Sequence, residues 1–470
     1  MSDPINNHNH NNNNNNNNHN NNNNNNNKEE QDDWLYGTKK RLTVEQVQGS
    51  HVTYSHYIET DKLLTLQDSS LKGGLHHHDE HLFIVVHQSF ELWFKQILHE
   101  LNSVNDILNR LMNKSGNDEK SYDKDFILEC MQVCCDRVKR ADSIMRYSLG
   151  TFDILESMHP ADFLEFRDYI GPASGFQSVQ MRQMEVVLGL KDSQRVTCSY
   201  QHYTDPLSHD TRGMDLIRQQ VSKPSIKHVV YQWLDQCIAD RVPSQFMDVF
   251  MEKKLDNLRF QKALWHLSTD QMDVAVRKEM QQVEPFLNGE GHDEDHVPSA
   301  SSSSASSSSG GCPFASSSST NSDDGDDAEK DGDDDDNNKE CPASKRRKLS
   351  QDHGDGENTE PDEAVQEHVR RRRLAIMFIM CYRQQPEIST YANLLDDLVA
   401  FEEAFLLWRT RHVRMVERMI GRRTGTGGSS GVDYLEGTIK YRVFLDLWQA
   451  KSLFIRTTAL PRMTLDPFPE

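Results

Sequence analysis

The stretch "DEHLFIVVHQSFELWFKQILHELNSVNDILNRLM", residues 79–112, repeats apolar residues at steps of three and four positions. Because an α-helix has 3.6 residues per turn, this spacing places them on one face. So long a helix indicates a helical bundle. The same spacing predicts a second long helix over 125–156, and alternating strand patterns are nearly absent, so the predicted fold class is mainly α. Further helices are predicted over 160–169, 174–189, 211–221, 226–240, 244–286, 365–384, 389–420 and 434–453.

Two low-complexity segments have compositions that cannot bury a core. Residues 6–27 are nearly all asparagine, and residues 289–363 run through serine blocks into an acidic stretch. Both are predicted to be disordered. Residues 289–363 hold 21 acidic and 6 basic residues, so they carry −15 of the net charge of −21. The modest charge of the remainder gives no reason to expect nucleic-acid binding.

These features divide the chain into four parts: a disordered asparagine-rich tail (1–33), the first part of a helical domain (34–288), an insert (289–363) and the second part of that domain (364–470). The flanks of the insert are helical and apolar. We therefore predict a single large helical-bundle domain that carries a long disordered insert. Such a loop adds little closure entropy, because that cost grows only with the logarithm of length.

The sequence carries no signal for a membrane or for secretion. No run of eighteen apolar residues occurs, so no transmembrane helix is expected. A secretory signal is also lacking at the N-terminus, and eight cysteines without a framework spacing suit a reducing cytosol. We predict a cytoplasmic protein. One basic run in the insert is typical of a nuclear-localisation signal, a pattern with many false positives: Lys345-Arg346-Arg347-Lys348.

Histidines are concentrated just before and within the first long helix. The cluster His76, His77, His78 and His81 could hold a metal ion, but no His-Glu-x-x-His motif or third ligand is fixed by spacing. Capping and solvation at the start of the helix are the favoured interpretation. His87 lies on the apolar face beside Phe83, four positions earlier. It is either a satisfied core histidine or a polar group in a pocket.

A second candidate binding segment is "LESMHPADFLEFRDYIGPASGFQSVQMRQ", residues 155–183. Phe163 and Arg167 are four apart on a short predicted helix. An aromatic ring beside an arginine suits an aromatic ligand with a carboxylate, which arginine can bind through two hydrogen bonds. The alternative is a surface arginine paired with Glu165 or Asp168, and spacing alone does not decide between them.

The segment "WRTRHVRMVERMIGRRTGTGGSSGVDYL", residues 408–435, places His412 within a helix that ends at a glycine-rich loop. Residues 427–431 fit Gly-x-Ser-x-Gly, but a nucleophile elbow follows a strand, whereas this loop follows a helix. A dinucleotide-binding loop is excluded for the same reason. We interpret the loop as one that can close on a ligand.

Taken together, "DEHLFIVVHQSFELWFKQILHEL", "DFLEFRDYIGPASGFQSVQMR" and "WRTRHVRMVERMIGRRTGTGGSSG" resemble the tryptophan 2,3-dioxygenase family. The segments "YSHYIETDKLL" (54–64) and "LPRM" (460–463) are similar as well. The resemblance spans about 50–190 and 365–465. It is weak over 205–285 and absent from the asparagine tract and the insert.

The resemblance implies a helical homotetramer, a dimer of dimers, with one haem b per subunit. The family inserts both atoms of O2 across the indole C2–C3 bond of L-tryptophan and gives N-formyl-L-kynurenine, the first step of the kynurenine pathway. L-Tryptophan and O2 are therefore the expected partners, with no nucleic acid and no membrane. The haem would supply the reduced iron that reaction with O2 requires, and the protein would supply position and electrostatics.

The resemblance also assigns residues. His412 matches the axial ligand of the haem iron, and His87 the catalytic histidine that faces the indole N–H. Ser174, Gly175 and Trp408 match positions close to the haem. The substrate-binding positions are Phe83, Phe163, Arg167, Thr426, Tyr54 and Tyr57, of which the two tyrosines belong, in the family, to a segment that reaches into a neighbouring subunit's site.

Two rival functions stay open at this point. The first is a non-haem metalloenzyme that uses the cluster between His76 and His81. The second is a non-catalytic haem sensor or scaffold whose working part is the acidic insert.

Overall fold

The computed structural model describes residue 35 and residues 53–67, 74–114, 123–196, 203–265, 267–290, 363–427 and 431–465. These residues form helices and connecting segments without a strand, which confirms the predicted mainly α fold class. The asparagine-rich tract and residues 291–362 lie outside the described residues. The residues described on either side of 291–362 belong to one compact unit.

The α-helices follow the predicted pattern closely in the long segments. In chain order they are α1 Tyr54–Ile58, α2 Thr60–Leu63, α3 His78–Lys114, α4 Lys124–Leu155, α5 Pro160–Ile170, α6 Val179–Leu188, α7 Thr211–Val221, α8 Ile226–Trp233, α9 Phe246–Leu264, α10 Thr269–Leu287, α11 Glu363–Cys381, α12 Pro386–Ile420, α13 Val432–Thr438 and α14 Leu445–Lys451.

Three long helices, α3, α4 and α12, form the centre of the bundle, with α4 packed against both of the others. Ile97 and Leu101 of α3, Met145 of α4 and Leu398 of α12 are fully buried there. Each buried aliphatic side chain of this size stabilises the fold by about 1.5–3 kcal/mol relative to exposure. The apolar stripes read from the sequence therefore do face one another across the core.

Two predicted helices are each interrupted, so the prediction of one helix over 244–286 is wrong, as is that over 434–453. Between α9 and α10, the Ser268 hydroxyl accepts from the backbone N–H of Gln271 at 3.4 Å, and the Gln271 side chain accepts from the Ser268 N–H at 3.1 Å. This capping box starts a new helix although the apolar period continues. Between α13 and α14, the buried Glu402 carboxylate accepts from the backbone N–H of Val443 and of Phe444.

A further difference concerns the predicted helix 226–240. The α-helical part ends at Trp233, and Leu234–Ile238 continue it as a π-helical turn. No helix in the part of the chain that the structure describes is long and apolar enough to cross a membrane.

The chain ends on either side of residues 291–362 are joined by hydrogen bonds. The Gln366 amide donates to the carbonyl of Asn288 at 3.3 Å. The buried Arg373 guanidinium donates to the carbonyls of Phe286 at 3.0 Å and Glu290 at 3.1 Å. Helix α11 is therefore held against the end of α10 by contacts that lie outside residues 291–362.

We predict that replacing residues 291–362 with a short Gly-Ser linker leaves the unfolding temperature unchanged or a few degrees higher, because a shorter loop is closed at lower entropic cost. Thermal unfolding followed by circular dichroism measures this. An insoluble or unfolded product would contradict it, and Arg373→Gln should lower the unfolding temperature in both backgrounds.

Candidate functional site

A cavity of about 230 Å³ lies between α3 and α12 and is closed by α5, α6 and the glycine-rich loop. On the same measure one buried water needs only roughly 10–15 Å³, so the cavity can hold a molecule many times larger. Its apolar wall consists mainly of aromatic side chains from α3, α4, α5 and α12: Phe83, Phe90, Phe94, Phe152, Phe163 and Trp408. A large, mostly apolar cavity with a few polar groups is the usual form of a small-molecule site.

His87 lines this cavity from α3. Its Nδ1 lies 2.7 Å from the carbonyl oxygen of Phe83, one turn earlier in the helix. A carbonyl can only accept, so Nδ1 carries the proton and Nε2 is left as an acceptor. Burial lowers the pKa of His87, while the Phe83 carbonyl and the Glu91 carboxylate oppose that shift. At neutral pH the cavity therefore contains a neutral imidazole with an open acceptor nitrogen.

His412 lines the same cavity from α12. Its ring stacks on Phe152 with centroids 5.9 Å apart and lies 5.1 Å from the ring of Trp408. Burial lowers the pKa of His412 to about 4, and His87 and Arg409 shift it in the same direction. The described residues make no hydrogen bond to its ring nitrogens. A neutral imidazole with free nitrogens is the state that binds a transition metal.

Arg167 and Thr426 both line the cavity, and each forms a hydrogen bond between the glycine-rich loop and the α5 region. The Arg167 guanidinium donates to the backbone carbonyl of Thr424 in the glycine-rich loop, and the Thr426 hydroxyl donates to the carbonyl of Ala173 at 2.8 Å. Arg167 also lies 3.6 Å from Asp168, whose side chain is 89% exposed, so the surface pairing considered for this arginine coexists with its place in the cavity wall. The loop is thus fastened to the segment after α5.

Ser174 and Gly175 also line the cavity. Ser174 caps a 3-10 turn, Gly175–Gln177, because its hydroxyl accepts from the Phe176 N–H at 3.4 Å and its own N–H donates to Gln177 at 3.1 Å. The helix predicted to begin near residue 174 therefore begins at Val179, after this turn. The turn brings the chain between α5 and α6 along the cavity wall.

Not every predicted site residue lies at the cavity. Tyr54 and Tyr57 on α1 are 76% and 80% exposed and contribute nothing to the wall of this chain's cavity. In the histidine cluster, Nδ1 of His77 accepts from the Asp79 N–H at 3.2 Å, and His76 stacks on Tyr169 with centroids 4.1 Å apart. The His77 contact confirms the predicted capping role. The described residues contain no group of three potential ligands placed to bind a metal ion.

Part of the cavity wall is charged, and none of its residues was among the predicted site residues. Glu185 and Arg182 on α6 and Arg409 on α12 line the cavity and are buried. Two spacings in the sequence could have indicated these charged residues. Arg182 and Glu185 are three residues apart within an apolar helix, and Arg409 precedes His412 by three. Such pairs face the same side of a helix.

The described residues thus define a helical protein with a mostly apolar cavity that is lined by two histidines of lowered pKa. A model of the family "Tryptophan 2,3-dioxygenase" matches residues 39–284 and 361–454. This match includes 205–284, where the sequence analysis found only a weak resemblance, and it leaves 285–360 unmatched. The chain belongs to the tryptophan 2,3-dioxygenase family.

Proteins with that name are similar to this chain, and the alignments cover most of the chain and most of each relative. "Tryptophan 2,3-dioxygenase 2" of Ralstonia nicotianae is 30% identical over 87% of this chain and 95% of its own. The "Tryptophan 2,3-dioxygenase" of Sorangium cellulosum is 31% identical over 88% and 85%. That of Anopheles gambiae is 31% identical over 90% and 92%.

The depressed pKa of His412 predicts how stability depends on pH. The unfolded chain takes up a proton near the ordinary value of 6.5, whereas the folded protein does so near 4, so stability falls as pH drops from about 6.5 towards 4. In the protein without a bound ligand, His412→Phe should remove up to roughly 3 kcal/mol of this loss. Urea unfolding at a series of pH values measures it.

The control for this experiment is His99→Gln, which changes an exposed histidine on α3. This variant should keep the wild-type pH dependence. If His412→Phe kept it as well, the imidazole of His412 would not be held neutral by its surroundings.

Proposed function

We propose that this protein is a haem-dependent dioxygenase that inserts O2 across the indole C2–C3 bond of L-tryptophan and forms N-formyl-L-kynurenine, the first step of the kynurenine pathway. The observation that carries the proposal is the placement of His87 and His412 on one cavity, both neutral at physiological pH. Membership of the family and the names of the relatives support the substrate and the reaction.

The residues of the cavity fit a haem group. Its wall runs along α3 from Phe83 to Phe94 and along α12 from Trp408 to Ile420. At 1.5 Å per residue each stretch is about 16–18 Å long, so two apolar helices border a long cavity suited to a large flat ring. His412 would hold the haem through a bond from its imidazole nitrogen to the iron. When bound, the haem would supply the reduced iron needed for reaction with O2.

His87 would act on the substrate rather than on iron. Because its Nδ1 is bound to the Phe83 carbonyl, Nε2 can accept the hydrogen bond of an indole N–H. Phe83 and Phe163, with ring centroids 5.6 Å apart, would confine the indole ring. These residues would hold the ring in one orientation, and such positioning is a large part of what an enzyme contributes to a reaction between two bound molecules.

Arg167 and the glycine-rich loop would bind the amino-acid end of the substrate. The Nε atom of Arg167 is buried and has no hydrogen-bond partner among the described residues. A buried, unpartnered donor on a guanidinium favours a bound carboxylate. Thr426 lines the same cavity as Arg167, and its hydroxyl is a second polar group for the amino-acid end of the substrate. Ser174, Gly175 and Trp408 would border the haem.

Assembly and location belong to the same proposal. A homotetramer would give the exposed Tyr54 and Tyr57 a neighbouring subunit's site to enter, as the family resemblance implies. We also propose a cytoplasmic location. The basic run at 345–348 lies outside the described residues.

We predict that His412→Ala abolishes stable haem binding while the helices persist, because the variant lacks the imidazole that would bind the iron but keeps the aromatic wall. The absorbance ratio of the haem band to protein measures occupancy, and circular dichroism measures helix content. His99→Ala is the matched control. Full haem occupancy in His412→Ala would remove the axial assignment.

We predict that Arg167→Ala lowers kcat/KM for L-tryptophan by roughly 30-fold or more, chiefly through KM, because a charge-assisted contact with the carboxylate is lost. The haem spectrum should stay unchanged. The exposed Arg218→Ala on α7 is the control. Wild-type rates of N-formylkynurenine formation at low substrate in Arg167→Ala would show that this arginine does not bind the carboxylate.

A further inference from the structure

Three buried arginines converge on one buried carboxylate beside the cavity. Glu185 Oε1 lies 2.7 Å from Arg409, and Oε2 lies 3.3 Å from Arg182 and also accepts from Arg195. The side chain of Glu185 is fully buried, and those of the three arginines are at most 9% exposed. We call these four residues the arginine cluster.

The cluster carries an excess of buried positive charge. Arginine stays protonated in proteins, and although burial alone would raise the pKa of Glu185, the guanidinium groups of Arg195, Arg182 and Arg409 hold it well below its ordinary range. Three positive charges therefore face one negative charge. The Tyr203 ring lies 3.8 Å from the Arg195 guanidinium, and the largely exposed Asp192 accepts from Arg195 at 3.2 Å. Asp192 thus offsets Arg195, whereas Arg182, which lies 6.0 Å from the Tyr203 ring, and Arg409 share the single charge of Glu185.

The excess charge lies at the cavity. Arg182, Glu185 and Arg409 line it, whereas Arg195 lies behind them. The Nε atom of Arg182 is buried without a hydrogen-bond partner in the part of the chain that the structure describes, as is Nη2 of Arg195. Uncompensated buried charges and unused donors are costly. Both costs fall if an anionic group enters the cavity at this edge.

We propose that Arg182 and Arg409 bind the two propionate carboxylates of haem, and that Glu185 is a positioning residue that holds both guanidinium groups in place. This inference rests on the proposed haem function. Carboxylates at this edge would supply the negative charge that Arg182 and Arg409 lack, because these two arginines share only Glu185. Arg409 is also three residues before His412 on α12, so the same turn of helix would present both the imidazole that would hold the iron and a partner for a propionate.

Haem dimethyl ester, in which both propionates are uncharged esters, tests this inference in the full-length protein. The dissociation rate of each ligand is measured by transfer to an excess of apomyoglobin. Wild-type protein should release haem more slowly than the ester. Arg182→Gln and Arg409→Gln should each speed the release of haem by roughly 10- to 100-fold and leave release of the ester nearly unchanged.

The comparison of two ligands separates charge recognition from packing. Arg409 also stacks on Phe405 and Tyr441, and the loss of that packing would affect haem and ester alike. Arg411→Gln is the matched control, because Arg411 lies on the same helix but pairs with Glu156 and Asp153 outside the cavity wall. It should preserve the wild-type ratio of the two rates.

Each outcome decides the inference. A wild-type protein that releases haem and its ester at equal rates overturns it, and this measurement needs no variant to fold. If haem and its ester are released at unequal rates by the wild type, and both Arg182→Gln and Arg409→Gln keep the same ratio, the inference is also overturned. Other residues would then bind the propionates. A wild-type protein that binds neither ligand overturns the proposed haem function itself.

Discussion

The placement of two imidazoles, one on α3 and one on α12, at the same cavity is the constraint on which the rest of the structure depends. Each ring is kept neutral by its surroundings, and each then has a nitrogen available to a ligand. The long helices α3 and α12 hold both rings in place, because the buried apolar residues of each helix pack into the core. No loop has to become ordered to position either ring.

Charge is distributed unevenly around that cavity. The wall near His87 and Phe163 is aromatic, the mouth carries Arg167 and the glycine-rich loop, and one edge carries the arginine cluster. A bound molecule would therefore be oriented by its anionic groups as well as by its shape. Buried ion pairs contribute little net stability by themselves, because desolvation offsets much of their attraction. Their cost is understandable if they serve ligand binding, as we propose for Arg182 and Arg409.

The sequence predicted the long helices well, because a period of 3.6 residues over thirty positions has few alternative explanations. It failed where a local cap or a distant residue overrides the period. Ser268 starts a new helix through its own capping box. Glu402, which belongs to α12, accepts a hydrogen bond from the backbone of Val443 and so interrupts the helix predicted there. Neither the partner of Glu402 nor the convergence of Arg195 on Glu185 can be read from spacing, because both depend on packing between segments far apart in the chain.

The placement of the candidate site residues followed the resemblance to the family more than the residue pattern. Spacing alone did not decide whether His87 and Arg167 have structural or functional roles. It also did not indicate Phe152, whose ring stacks on His412. The most direct test of the account is to reduce the haem-loaded protein, add L-tryptophan under ¹⁸O₂ and analyse the product by mass spectrometry. The account predicts N-formylkynurenine in which both inserted oxygen atoms carry the label. No product, or a product labelled at only one of the two positions, would contradict it.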